Sequence, residues 1–151
     1  MDRYSLRLNH DMAILIRHIK TDIKNIDAII LYGGYGRDEG AWIQVDSSID
    51  KVFPYNDYDV CVVTDSVVSP MCIANLEKKI AKEIGIKWID IDIKRKSDLS
   101  NLKISVKNVD FKYASKVIFG NEDVLELIPK FDLQQINSND IEILYFTRMW
   151  T

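Results

Sequence analysis

The stretch from Ala28 to Asp59 constrains this chain most. It opens with the apolar run AIIL (residues 28–31), passes Tyr32 and breaks at Gly33-Gly34; after a long mixed segment come Asp57, Tyr58 and Asp59, heading a second apolar run, VCVV (residues 60–63). A run like AIIL has no polar face, so it predicts a central strand covered on both sides. Side chains alternate across a strand, so Asp57 and Asp59 share one face while Tyr58 and Val60 point to the other. Two neighbouring carboxylates repel, and burying them is costly unless something positive lies between them. A divalent metal ion holding a phosphate is the most economical solution, and the glycine turn upstream is a natural place for that phosphate.

The rest of the composition narrows the setting. A chain of 151 residues, 47% of them hydrophobic, fits one compact domain with a real core. Its 23 acidic and 20 basic residues give a formal charge of -3, which argues against a protein whose main task is gripping a long nucleic acid. Cys61 and Cys72 make no disulfide or metal framework, and Cys61 reads as a small buried thiol. The N-terminus shows no signal-peptide pattern, and no apolar run approaches the roughly 20 residues of a membrane span. A cytoplasmic protein with no membrane contact is expected.

Taken in order, residues 5–24 predict an amphipathic helix, with Leu8, Met12, Leu15, Ile16, Ile19 and Ile23 at spacings of three and four and Ser5 as N-cap. His10 and His18 read as ordinary surface or boundary residues. Residues 27–32 and 58–64 are the first two strands. Between them, residues 39–42 predict the start of a short helix, and Asp46, Ser47 and Ser48 a turn. Ser69-Pro70 starts a helix that sends Ile73, Leu76, Ile80 and Ile84 to the core and ends at Gly85. Residues 87–93, KWIDIDI, alternate strictly as a third strand: Ile89, Ile91 and Ile93 on one face, Trp88, Asp90 and Asp92 on the other. Residues 94–101 read as a polar connector and 104–106 as a short extended piece. Residues 110–119 predict a helix or a helix plus strand, 124–128 a helix, and a last apolar helix follows Asn137 or Ser138.

Two phosphate-binding patterns fail on the residues. Gly34-Tyr35-Gly36 supplies half of a dinucleotide-binding turn, but Glu39 stands where the third glycine belongs and would oppose a pyrophosphate. No G-K-[ST] follows, so this is not a P-loop. A reading that uses all three strands does better. If the second and third lie near each other in one sheet, Asp57, Asp59 and Asp90 or Asp92 converge. Three carboxylates with open positions suit Mg²⁺, which keeps waters and binds substrate phosphates. Two such ions about 4 Å apart clamp the attacking and leaving oxygens of an in-line phosphoryl displacement. Arg37, close behind the glycines, is placed to neutralise a polyphosphate.

The order LYGGYGRDEG, NDYDVCVV, WIDIDI resembles the polymerase-beta-like nucleotidyltransferase superfamily, and KVIFGNEDVL resembles the segment that closes such domains. The resemblance covers roughly residues 27–128. It implies an α/β (α+β) fold: a mixed, twisted sheet with helices packed mainly on one face. It implies a catalytic domain over residues 1–130 and a C-terminal helical segment over 131–151, the start of a longer helical domain or a docking surface. The reaction it implies moves a nucleoside monophosphate from an NTP such as ATP to a hydroxyl of a small molecule or protein, releasing pyrophosphate. Gly33 and Gly34 would line the triphosphate turn with Arg37 nearby. Asp57 and Asp59 would bind two Mg²⁺ ions, with Asp90 as the third ligand beside the acceptor and Asp92 as its substitute. The 22-residue gap from 35 to 56 is longer than in compact members, so the insertion GAWIQVDSSIDKVFP is expected beside the acceptor pocket. The rival expectation is a non-catalytic module, antitoxin-type or regulatory, that docks a helical partner or a second copy through the C-terminal helix.

Overall fold

The computed structural model describes residues 2–45 and 51–149. Four strands form one sheet in the order β5-β4-β1-β6, where β1 is Ile26–Tyr32, β4 Asp59–Thr64, β5 Asp90–Lys94 and β6 Lys116–Gly120. β1 runs antiparallel to both β4 and β6, and β4 runs parallel to β5. The sheet is therefore mixed, and β1 is central as its unbroken apolar run requires: Ala28, Ile29, Ile30 and Leu31 are all buried.

Helices α1 (Arg3–Asp22) and α3 (Pro70–Ile84) cover one face. Ile29, Leu31, Val60, Val62 and Ile91 meet Met12, Leu15 and Ile19 of α1 and Leu76, Ile80 and Ile84 of α3. The other face is closed by smaller pieces. Ala28, Ile30, Cys61 and Val63 pack on Leu99 of α4 (Lys96–Ser100), Phe111 of α5 (Val106–Tyr113), and Val124 and Ile128 around the 3₁₀ turn Glu122–Leu127. The two long helices thus share one side, and β4–α3–β5 is the crossover that a parallel pair needs.

The caps explain most boundaries. Ser69 accepts from the Cys72 amide with Pro70 behind it, and Gly85 ends α3 in the left-handed conformation. At α1 the N-cap is Asp2, whose carboxylate accepts from the amides of Tyr4 and Ser5, so the cap lies three residues before the expected Ser5. Residues 39–42 form no helix. The glycines themselves make a single turn, α2 (Gly33–Gly36), and Trp42–Gln44 (β2) pairs with Val52–Pro54 (β3) in a small separate hairpin. The turn expected at Asp46–Ser48 lies outside the described residues.

The third strand begins only at Asp90, because Lys87, Trp88 and Ile89 have no ladder partners. Residues 94–101 contain α4, and residues 104–106 lead into α5 rather than forming a strand. Residues 110–119 resolve into the end of α5 and β6. The last helix, α6, spans Ser138–Met149. His18 lies 2.6 Å from Glu83 on α3, the boundary role expected of it. Among the described residues, no helix is long and apolar enough to cross a membrane.

Gly120 sets the end of β6 against the start of β1. Its φ is +91°, and a Cβ there would sit 2.2 Å from the Asp27 carbonyl oxygen and 2.9 Å from the Ala28 Cα. Both obstacles are backbone. Gly120→Ala should therefore cost about 2–3 kcal/mol and lower Tm by several degrees, read in a thermal melt.

Candidate functional site

Three strand ends build the site. β1 delivers the glycine turn at its C-terminal end, while β4 and β5 deliver acids at their N-terminal ends. The registers decide which acids meet. Tyr32 faces Asp59 across the β1–β4 ladder, and Asp59 faces Asp90 across the β4–β5 ladder. Asp57 lies just ahead of β4. Ligand oxygens of Asp57, Asp59 and Asp90 all lie within 4.8 Å of one another. Asp92 sits one pleat further on, opposite Cys61, and pairs with Lys94 at 2.7 Å. Of the two candidates on β5, Asp90 joins the cluster.

The cluster is charged against itself. Burial, followed by the charges of Asp57 and Asp90, pushes the Asp59 carboxyl up to about 6. Asp90 is also raised: by burial first, then by Asp57 and Glu77, and by a hydrogen bond shared with Asp57. The side chain of Glu77 reaches over from α3 to accept from the Ile91 amide at 3.0 Å, covering the open edge of β5 and adding negative charge beside Asp90. An all-oxygen, multiply anionic donor set of this kind fits a hard divalent cation, which would replace the repulsion with attraction.

The glycine turn is fitted to the acids. Gly33 has φ +67°, and a Cβ on it would stand 2.1 Å from Asp59 Oδ2. Gly34 is open: a Cβ there would find its nearest neighbour 3.9 Å away, the Cα of Gly40. The turn closes on itself through Arg37 N–H donating to the Gly33 carbonyl at 3.1 Å and Glu39 N–H donating to the Gly34 carbonyl at 2.8 Å. Arg37 is not free. Its guanidinium pairs with Glu39 at 2.7 Å and with Asp110 of α5 at 2.5 Å, tying the turn to the other side of the sheet. Its charge still acts to lower Asp59.

The described start of the insertion packs against α1. Trp42 stacks on Tyr4 of α1 with ring centroids 5.9 Å apart and meets the edge of Tyr35 at 5.2 Å. Between α1 and this segment lies an open groove of about 320 Å³ bordered by Tyr4, Leu8, Tyr35, Asp38 and Trp42. Tyr55 is exposed.

Two features escaped the sequence reading. Lys107, exposed on α5, lowers both Asp59 and Asp90 by its charge; nothing local distinguishes it from the chain's other lysines. Arg7 and Asp11 are both buried on α1, and here a signal existed. At spacing i, i+4 they continue the line of Leu15 and Ile19, so two charges lay inside the buried stripe.

No family model matches the chain, and no curated protein does either. Solved structures do. Spectinomycin adenyltransferase AAD(9) from Enterococcus faecialis, with ATP and spectinomycin, superposes with a TM-score of 0.52 at 17% identity, covering 86% of this chain and 61% of that one. This chain thus spans about three fifths of the adenyltransferase's length. A toxin–antitoxin complex with AMP-PNP gives 0.49 at 18% identity, over 77% of this chain and 78% of that one. A complex of the tri-AMPylated Shewanella oneidensis HEPN toxin with MNT antitoxin gives 0.48 at 17%, over 78% and 76%.

Proposed function

We propose that this chain, which has the polymerase-beta-like nucleotidyltransferase fold, is a Mg²⁺-dependent nucleotidyltransferase acting on a hydroxyl of a small molecule or a protein. What supports this reading above all is the convergence of Asp57, Asp59 and Asp90 within 4.8 Å beside the bare backbone of Gly33. In the proposed reaction the acceptor oxygen attacks the α-phosphorus of an NTP in line, the bond from that phosphorus to the bridging oxygen breaks, and pyrophosphate leaves. Bound Mg²⁺ would supply Lewis-acid stabilisation of the attacking and leaving oxygens.

The chain's own groups do the rest. Asp57 and Asp59 would hold the cation and, through it, the nucleotide's phosphates. Asp90, the exposed member of the cluster, would face the acceptor and take its hydroxyl proton. Gly33 and Gly34 let backbone amides approach the triphosphate without a Cβ between. Lys107 would add positive charge around the phosphates, and Arg37 would add to it on release from Glu39 or Asp110. The long segment between the glycine turn and Asp57 is the proposed source of acceptor specificity, and the cytoplasm, with both cysteines free, the proposed compartment.

The test is pyrophosphate release from a panel of NTPs with Mg²⁺, beginning with ATP because the AAD(9) structure contains it. Turnover should need both an acceptor and the metal, and excess EDTA should stop it. No nucleotide binding at millimolar Mg²⁺ would sink the enzymatic reading. It would favour the second one, a non-catalytic module that docks a helical partner. That alternative is supported by α6, where Ile141, Ile143, Tyr145 and Phe146 are all exposed.

A further inference from the structure

We propose that the hydrogen bond between Tyr58 and the buried Asp11 is a positioning device for the three-carboxylate site, fixing the spacing of Asp57, Asp59 and Asp90 from behind the sheet; this rests on the metal-binding reading above. Tyr58 is joined to all three acids. Peptide bonds link it to Asp57 and Asp59, and its carbonyl accepts from the Asp90 amide at 3.1 Å. Its side chain points away from them, is fully buried, and donates from Oη to Asp11 Oδ2 at 2.8 Å. Whatever fixes that ring fixes the origin of all three carboxylates.

The anchor is itself held on several sides. Asp11 is wholly buried on α1, and Arg7 Nε donates to the same Oδ2 at 3.0 Å. Asp11 Oδ1 lies 2.9 Å from that nitrogen without an aligned hydrogen bond. Arg7 Nη2 donates to the Ile84 carbonyl at 2.6 Å, one of the last carbonyls of α3, and the guanidinium lies 5.3 Å from the centre of the Phe53 ring on β3. The Tyr58 ring meets Tyr35 of the glycine turn edge-on, with centroids 4.8 Å apart, and Tyr35 Oη donates to the Ala41 carbonyl at 2.6 Å. One network therefore joins α1, α3, the insertion and the glycine turn to the residue between the acids.

A buried ion pair is weak evidence for stability, since leucines of similar volume would fill the space without desolvating charges. Its geometric value is direction. A hydrogen bond from the phenol to a fixed carboxylate adds an angular constraint that apolar packing alone does not supply. Groups behind a metal's ligands commonly set affinity in this way.

The experiment is Mn²⁺ titration of the metal-free protein by calorimetry, with thermal melts on the same samples. Tyr58→Phe removes one oxygen and keeps the ring, and should weaken Mn²⁺ binding about tenfold while the protein stays folded. Asp11→Leu should do the same, and Asp11→Asn, which keeps an oxygen for Tyr58, should stay within about twofold of wild type. Ile80→Val, a core change on α3, should lower Tm and leave affinity alone. If Asp11→Leu does not fold, Tyr58→Phe carries the test. Unchanged Mn²⁺ affinity in folded Tyr58→Phe would overturn the positioning role and leave the functional reading standing. A wild-type protein that binds no Mn²⁺ would overturn both.

Discussion

Asp59→Asn will lower nucleotidyl transfer by about a thousandfold and, in the absence of metal, will make the protein more stable at pH 7.5. Both effects have one cause. Asp59 stands among Asp57 and Asp90 with its carboxyl pushed up to about 6 by burial and by their charges. A carboxyl whose pKa is raised on folding stabilises the folded state while protonated. That contribution is fully present below the ordinary value of 3.8 and is lost as pH rises through about 6. Above pH 6 the wild-type protein carries an unwelcome charge that asparagine lacks. Allowing for water at this partly open site, the difference is about 1–2 kcal/mol, or roughly 3–6 °C in Tm. Melts in EDTA should therefore show the variant ahead at pH 7.5 and level with wild type below pH 4. Mn²⁺ or Mg²⁺ should raise the Tm of wild type and not of the variant. A variant less stable than wild type at pH 7.5 without metal would mean that the acids do not repel as placed.

Gly33→Ala should cost about a hundredfold in transfer through Asp59 rather than through the fold alone. Its methyl would stand 2.1 Å from Asp59 Oδ2 and 3.0 Å from Cγ, at a backbone angle of φ +67°. The backbone strain is about 1–2 kcal/mol, which a fold with this core withstands. The collision is resolved by moving the Asp59 side chain, and a displacement near 1 Å at a reacting centre costs about that factor in rate. Mn²⁺ affinity should fall with it. Gly34→Ala is the contrast, because its methyl meets nothing closer than 3.9 Å. It should keep both stability and Mn²⁺ affinity, and raise KM for the nucleotide if phosphate passes over this turn. Equal Mn²⁺ affinity in wild type and Gly33→Ala would rule out the contact as the cause.

Much of the site was legible because its parts are local. Alternation placed Asp57 and Asp59 on one face and Tyr58 on the other, and Tyr58 is indeed buried against α1. The unbroken apolar run of β1 called for a central, doubly covered strand, and Ser69, Pro70 and Gly85 marked both ends of α3. Where reading failed, a non-local partner overrode a local pattern. KWIDIDI alternates from Lys87, yet pairing starts at Asp90 because β4 itself starts at Asp59. Residues 39–42 had helical composition at best, and a hairpin partner at Val52–Pro54 drew Trp42 into a strand instead.

The sequence by itself determined which residues are the candidates for the chemistry: two glycines after an apolar strand, two acids one residue apart, and two more on a third strand. Local periodicity and turn preference suffice for that, since they depend on neighbours within a few residues. Only the tertiary structure decided between Asp90 and Asp92. The two are equivalent along their own strand, and a two-residue slip of β5 against β4 would have exchanged them. The ladder that sets Asp59 against Asp90 is made of hydrogen bonds between segments 31 residues apart, and no local pattern encodes that register. The same holds for Asp11, which lies 47 positions from Tyr58 and meets it only when α1 lies across the back of the sheet.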